Sequence, residues 1–593
     1  MVRDYWHRIG YRTAIAILMA LMALSLSACN LTQATSAAET SQIVQAVLSD
    51  PKTFNYALNQ ESPNIFGLTY KGLIETNGLT GEIQPALAES WEIADGGKQI
   101  IFTLRDNLKW SDGQPLTADD VIFSYNRVYL NDAIPTSARF VLLIGKNRSL
   151  PTVTKLDDRR IQFTIPEPFA PFLRSTGLPI LPAHVLQPKI TETDSQGNPV
   201  FLTTWGTDTP VEDIVVNGPY QLERYDTTQR IIYKRNPHYW KQDENGGSLP
   251  HIDRIIWQIV ESTDTNFLQF RSGGLDLTNV SPEYFSLLKK EEKRGKFTIY
   301  GKDPTLSSVF ITFNLNRGSR NGKPLVSPEK ARWFNDVKFR QAIAYALDRR
   351  SMVNNIYRGL GEPQYSNLPV QSPYYLSPEE GLKIYDYNPE NAKALLLSAG
   401  FQYDSNGQLQ DERGNPVRFT LLTNAGNKIR EALGVQIKQD LGKIGIQVDF
   451  QPISFSSLVD KLGNTFDWDA HIIGFGGGGV EPNNSANIWS LDGSLHSFNQ
   501  QPQAGQPPIE GWKAAPWEQK IANLYIEGAQ ELDEGKRKAI YNQTQQLIKE
   551  NLPYIYLVNQ LALTAVRDRI SPIQYSALGG ALWNIDQLQV TDQ

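Results

Sequence analysis

Ile429-Arg430-Glu431-Ala432-Leu433-Gly434-Val435-Gln436-Ile437-Lys438-Gln439-Asp440-Leu441, then Gly442-Lys443-Ile444-Gly445, then Ile446-Gln447-Val448-Asp449-Phe450, decides the class of the fold. Ile429, Leu433, Ile437 and Leu441 recur every fourth residue, which puts them on one stripe of a helix. Past the glycine-punctuated turn, Ile446, Val448 and Phe450 alternate with polar residues, the period of a strand. Helix, Gly turn and strand in that order are the unit from which α/β layers are built. The same grammar recurs upstream. Asp336 opens a helix that the pattern carries to about Arg358, where Gly359 stops it. Asn388-Pro389-Glu390 opens another, with Asn as cap, Pro at the first helical position and Gly400 at the end.

The first half reads as strand-rich. The apolar run 43–48 is a strand, followed by a turn at Asp50-Pro51. Ile100, Phe102 and Leu104 alternate within 98–105, as a half-buried strand does. Thr117 is a suitable N-cap for a helix carrying Val121, Ile122, Tyr125 and Val128, and Asp120 completes a capping-box-like start. Two further strands are expected over 230–235 and 254–260, separated by a polar, Gly-containing loop at 243–248. The segment 491–516, rich in Gln, Pro and Gly, reads as a surface insertion. No internal repeat is visible.

The chain has 593 residues and one cysteine, Cys29. Arg3, Arg8 and Arg12 precede it, followed by an apolar stretch over 14–24 and by Leu26-Ser27-Ala28. A basic segment, an apolar core and small residues before a cleavage point are the requirements of an export signal, expected over 1–28. At roughly 15 residues the apolar run falls short of the ~20 that a spanning helix needs. The Leu-Ser-Ala-Cys run resembles the lipobox of bacterial lipoproteins, which implies lipidation of Cys29; the alternative is a plain signal with an incidental cysteine. No second cysteine exists to make a disulfide. Residues 29–42 are small and polar and read as a flexible tether between lipid and domain.

Without residues 1–28 and their three Arg and one Asp, 565 residues remain with 54 Lys/Arg and 62 Asp/Glu, a formal charge of −8. That length calls for more than one lobe. An evenly acidic surface gives no footing for nucleic acid. The 12 Trp and 25 Tyr suit a chain that grips ligands by ring faces and hydroxyls, although ordinary packing accounts for most of them.

Catalytic signatures are missing. Gly474-Phe475-Gly476-Gly477-Gly478-Gly479 satisfies G-x-G-x-x-G, and a strand is expected just before it. A dinucleotide site then needs a helix N-terminus to receive the pyrophosphate. Val480-Glu481-Pro482-Asn483-Asn484 follows instead, a loop that brings a carboxylate to the would-be phosphate. The glycines are better read as a place where backbone approaches a ligand or an opposite lobe. His184, His238, His251, His471 and His496 make no H-E-x-x-H and no pair at metal-ligand spacing, so no metal and no cofactor is expected. G-x-S-x-G is absent. Asp467, Asp469 and Glu481 lie close in sequence but read as solvated loop carboxylates.

Three stretches resemble the family 5 extracellular solute-binding proteins, the oligopeptide- and dipeptide-binding receptors of bacterial ABC importers. The first is Ala86-Leu87-Ala88-Glu89-Ser90-Trp91-Glu92 with Leu104-Arg105-Asp106-Asn107-Leu108-Lys109-Trp110-Ser111-Asp112-Gly113 and Leu116-Thr117-Ala118-Asp119-Asp120-Val121. The second is Asn217-Gly218-Pro219-Tyr220 with Lys234-Arg235-Asn236-Pro237-His238-Tyr239-Trp240. The third is Phe339-Arg340-Gln341-Ala342-Ile343-Ala344-Tyr345-Ala346-Leu347-Asp348-Arg349 with Tyr387-Asn388-Pro389-Glu390-Asn391-Ala392-Lys393. The likeness covers about residues 43–590.

The resemblance implies an α/β, two-lobed periplasmic-binding-protein fold (type II, cluster C-like), with a two-strand hinge and a ligand cleft between the lobes. Lobe I, with an extra subdomain, is expected from 43–304, lobe II from 305–552, and a return to lobe I from 553–593. It implies no enzyme but a monomeric receptor, anchored by lipid on Cys29 at the periplasmic face of the membrane. Such a receptor closes on a peptide or other small solute and delivers it to permease and ATPase subunits. Family peptide receptors hold the ligand's ammonium with an aspartate near a Glu-Pro or Asp-Pro. Matching on Glu481-Pro482 puts Phe475 at the family's aromatic and Gly478 at that aspartate, so the amine anchor is missing here. Either Glu481 replaces it or the ligand has no free amine. The implied contacts are the loop Phe475, Gly476, Gly477 and Gly478 for backbone approach, Trp489 and Tyr556 as aromatic walls, and Asn217 and Tyr220 beside the Gly-Pro turn. Peptide leads as the ligand class; sugars, nickel complexes, opines and haem are the family's other ligands, and a sensor or chaperone-like binding protein is the alternative class.

Overall fold

The stretch 429–450 folds as helix Lys428–Gly442 and strand Gln447–Ile453. Asn427 caps the helix by accepting the Arg430 N–H at 2.9 Å. Leu433, Ile437 and Leu441 are buried, while Ile429, in the first turn, is only half-buried. The strand runs parallel to Arg418–Asn424, which precedes the helix, so the three elements make one βαβ unit. Gly434 is what lets them pack closely: a Cβ there would run into the Phe450 ring. The computed structural model describes residues 41–591 apart from 60–64, 261, 477–478 and 504–505. The export signal, Cys29 and all but the last two residues of the tether lie outside the described residues.

The sheet of this unit has five strands, in the order Gln447–Ile453, Arg418–Asn424, Ala470–Phe475, Ser308–Phe313 and Tyr554–Tyr556. The last two join it antiparallel to their neighbours. Its apolar core draws on residues from Phe310 to Val558. The single helix expected from Asp336 to about Arg358 is two helices, Val337–Ala346 and Arg349–Asn355. Asp336 caps the first. The break falls at Leu347 because Asp348 adopts a second cap, accepting the Ser351 N–H at 2.9 Å, while its own N–H donates to Asp440 Oδ2. Helix Pro389–Ser398 starts at its Asn388 cap as expected, with Gly400 left-handed beyond its end.

The first core runs from Ile43 to Trp257, takes in Ala529, and resumes from Val566 to Leu588. Two four-stranded sheets supply it: Gln42–Val47, Arg254–Ile259, Arg230–Arg235 and Tyr220–Asp226 in one, Ala88–Ala94, Gln99–Leu104, Arg160–Thr164 and Thr152–Lys155 in the other. Ile100, Phe102 and Leu104 turn inward, matching their alternation. Thr117 forms the expected capping box with Asp120. The loop at 243–248 is closed by Asp243, whose carboxylate accepts the Asn245 and Gly247 N–H groups. A third, smaller core, centred on Phe267, Phe270, Leu288 and Phe297, is completed by Leu563 and Ala565.

The chain passes between the first and second halves at two adjacent places. Thr305 N–H donates to Gln560 O at 2.8 Å and Ala562 N–H to Asp303 O at 2.9 Å, with Pro304 bridged to Leu561. These antiparallel segments are the two-strand hinge. The return to lobe I, expected from residue 553, comes after Gln560, because Tyr554–Tyr556 is hydrogen-bonded into the five-stranded sheet and Val558 belongs to its core.

Two outcomes follow from this packing. Gly434→Ala improves helix propensity but displaces the Phe450 ring, so urea melts should show a loss of about 1–2 kcal/mol, recovered when Phe450→Leu is added. His471 lies in the sheet between the Phe310 and Trp468 rings, and neither ring nitrogen has a hydrogen-bond partner among the described residues. Burial pushes its pKa down to about 3 from an ordinary 6.5. The unfolded chain therefore takes up a proton that the folded chain refuses. This contribution to stability is intact above pH 6.5 and is lost progressively as pH falls toward 3. Stability measured against pH should fall less steeply over that window in His471→Leu than in the parent.

Candidate functional site

A cleft of about 1040 Å³ separates the two main cores. Its first-lobe wall is built from the strand Ile74–Thr76, the turn Ser137–Leu142 with the loop after it, and the segment from Phe169 to Leu178. Phe140 and Val141 stand exposed at the rim. The second-lobe wall is the loop from Gly479 to Gly493 and one face of helix Pro516–Gln530. Gln519, Ala522, Asn523 and Ile526 all face the cleft, and their i, i+3, i+4, i+7 spacing makes them one stripe. The walls meet where Ala170 N–H donates to Ala529 O at 2.7 Å.

Glu481 forms the floor. It is buried, its carboxylate accepts two hydrogen bonds from Arg537 at 2.6 and 3.0 Å, and it caps the turn Pro482–Ser485 through the Asn483 N–H. Arg537 is itself clasped: Nε donates to Gly528 O, Nη1 to Tyr374 Oη, and the guanidinium lies over the Tyr374 and Tyr541 rings. Burial alone lowers the Arg537 pKa, but the Glu481 charge and its hydrogen bonds more than offset this and the net direction is up. Ser372 Oγ donates to Val480 O at 2.6 Å and fixes the loop from the other side. Arg174, from the first lobe, donates from Nη2 to Gly81 O at 2.7 Å and is half-buried. Burial lowers its pKa, the Glu481 and Tyr374 side chains oppose this, and the Arg537 charge lowers it further.

Of the site residues read from the sequence, the structure brings only Glu481 to the cleft wall among those described. Asn217 is buried in lobe I, where its side-chain oxygen accepts the Lys71 N–H at 2.7 Å and its amide donates to Lys71 O and Ile180 O. Tyr220 is buried beside it and donates to Ile252 O. Both are corrected to packing residues, since their polar atoms are satisfied inside the lobe. Trp489 is 1% exposed and stacks on Tyr525, so it backs the aromatic that lines the cleft rather than lining it. Tyr556 sits in the five-stranded sheet, 3% exposed. Phe475 ends its strand against Phe310 and Tyr554. Gly474 meets its own sheet: a Cβ there would lie 2.6 Å from Ser308 O. Gly476 has open space around it, and Gly477 and Gly478 lie outside the described residues.

Sequence reading missed Arg174, Arg537 and the stripe of helix Pro516–Gln530. The stripe was detectable by its spacing. Arg537 was not, because its partner lies 56 residues away. Among the described residues no group of His, Cys, Asp or Glu is placed to hold a metal ion, and no helix is long and apolar enough to cross a membrane.

Known proteins are similar to this chain. A probable ABC transporter-binding protein of Deinococcus radiodurans is 33% identical over 549 residues, covering 88% of this chain and 87% of that one. The oligopeptide-binding protein AppA of Bacillus subtilis is 28% identical, covering 78% of this chain and 81% of its own length. The solved structure of the Bacillus subtilis oligopeptide-binding protein AppA in complex with a nonapeptide matches with a TM-score of 0.67 at 24% identity, over 93% of this chain and 99% of that one, a likeness of fold. Residues 82–496 match the bacterial extracellular solute-binding proteins, family 5. With two lobes, a hinge and a cleft already in place, this chain belongs to that family, whose members are solute-binding receptors of the ABC-importer type rather than enzymes.

Proposed function

We propose that this receptor captures oligopeptides or dipeptides between its closing lobes and delivers them to a membrane permease. The observation that carries this reading is the size and lining of the cleft. About 1040 Å³ is at the upper end of ordinary small-molecule pockets, roughly 300–1,000 Å³, and has room for a ligand of several residues. Asn483, Gln501, Gln519 and Asn523 line it, and each amide offers both donor and acceptor to a peptide main chain. Main-chain bonding with roomy side-chain space gives broad selectivity. The names of relatives that bind oligopeptides and dipeptides support the same class.

The working unit is lobe I, from 43–304 and the chain after Gln560, closing on lobe II about the paired hinge segments. Ligand contacts both lobes only when they are closed, so binding shifts the population toward the form a permease reads. Attachment through lipid on Cys29, at the periplasmic face, keeps the monomeric receptor near its permease and ATPase subunits and raises its effective concentration there.

A pool of short peptides should raise the melting temperature of the Cys29→Ser chain by linkage. No shift with peptides beside a clear shift with an oligosaccharide or a metal complex sinks the peptide class. Glu481 acts in this scheme by holding the floor through Arg537. Glu481→Gln should therefore lower stability by on the order of 3 kcal/mol, measured by urea unfolding without ligand.

A further inference from the structure

The charges lining the cleft do not balance. Lys146, Arg148 and Arg174 line its first-lobe wall, and none has a carboxylate within 4.0 Å among the described residues. Glu167 lies against Gly145 but makes no ion pair with Lys146. Three acids line the same space, and two are already neutralised: Glu75 by Lys71 at 2.9 Å and Lys241 at 3.5 Å, Glu481 by Arg537. Asp492, which accepts from Ser490, is the third. The facing helix offers uncharged amides.

Arg174 is held in place. Besides Gly81 O, it bonds Thr76 Oγ1 through Nη1 at 3.4 Å, which uses two of the five N–H donors of a guanidinium. It stays a cation despite its burial. Lys146 and Arg148 stand exposed on the same wall, so a ligand that covers this wall removes water from all three like charges. A ligand without negative charge leaves them uncompensated, whereas a carboxylate forms short, charge-assisted bonds to them.

We propose that this cleft selects an anionic solute, whose carboxylate is received by Arg174 with Lys146 and Arg148 beside it, and that a ligand ammonium is not the anchor. The inference rests on the cleft's being the solute site. With a peptide, the C-terminal carboxylate is the recognised end, and the amino end lies free of any unpaired acid but Asp492.

The test uses the full chain carrying Cys29→Ser and three probes in calorimetric titration: tetra-alanine, its N-acetyl derivative and its C-terminal amide. N-acetylation should leave the affinity within about threefold, and amidation should weaken it roughly tenfold or more, the scale of one charge-assisted bond. The acid-to-amide ratio should collapse toward one in Arg174→Gln and fall in Lys146→Gln, an exposed-loop variant that carries the test if the first does not fold. Equal binding of acid and amide, or loss of binding on N-acetylation, overturns the proposal. If none of the three peptides binds, the peptide class fails and the charge of the ligand decides. Mass spectrometry of solute retained through purification then supports the inference if that solute is anionic and overturns it if it is neutral or cationic.

Discussion

The buried contact between Glu481 and Arg537 is the constraint on which the cleft depends. It ties the loop after strand Ala470–Phe475 to helix Glu534–Asn551, and Arg537 extends the tie through Gly528 to the end of the neighbouring helix. The two second-lobe elements that line the cleft are thereby fixed to each other before any ligand arrives. Buried ion pairs add little net stability over apolar packing. Their use here is positional, and it has a chemical side effect: the acid at the floor of the cleft is already matched.

How much of this was legible in the sequence depended on whether the signal was local. Periodicity and caps are local, so helix Lys428–Gly442, its following strand, the Thr117 capping box and the strand at 99–104 could be read directly. The break at Leu347 was legible in principle, since Asp348 is a good cap, but it was masked by continuous helical composition on both sides. The site was harder. Asn217 and Tyr220 flank a recognisable turn, yet their polar atoms are matched by Lys71, Ile180 and Ile252, residues that no spacing rule connects to them. Glu481 was legible as a carboxylate near the cleft, and not as half of a pair. Aromatic content misled as well: Trp489 and Tyr556 serve the core, and Tyr525, which does line the cleft, carried no distinguishing neighbour.

The receptor's chemistry is one of exclusion and matching. Among the described residues no group of His, Cys, Asp or Glu is placed to hold a metal ion, and the cleft is walled by amides, cations and rings. The lobes already touch where Ala170 N–H meets Ala529 O, a direct bond that no ligand supplies. Ligand binding then has to supply only the difference between open and closed forms.

The way the first core is assembled sets an order on the birth of the molecule. Its last portion, Val566 to Leu588, arrives after the entire second core has been made, whereas the second core is continuous from Phe310 to Val558. Contacts of such long separation form late, since closing a large loop precedes any gain from it. A chain emerging amino-end first can complete its second lobe while the first still waits for strand Thr564–Arg567 to enter its small three-stranded sheet. Truncation near the carboxyl end would thus unmake the lobe that begins the protein, and leave standing the one in the middle.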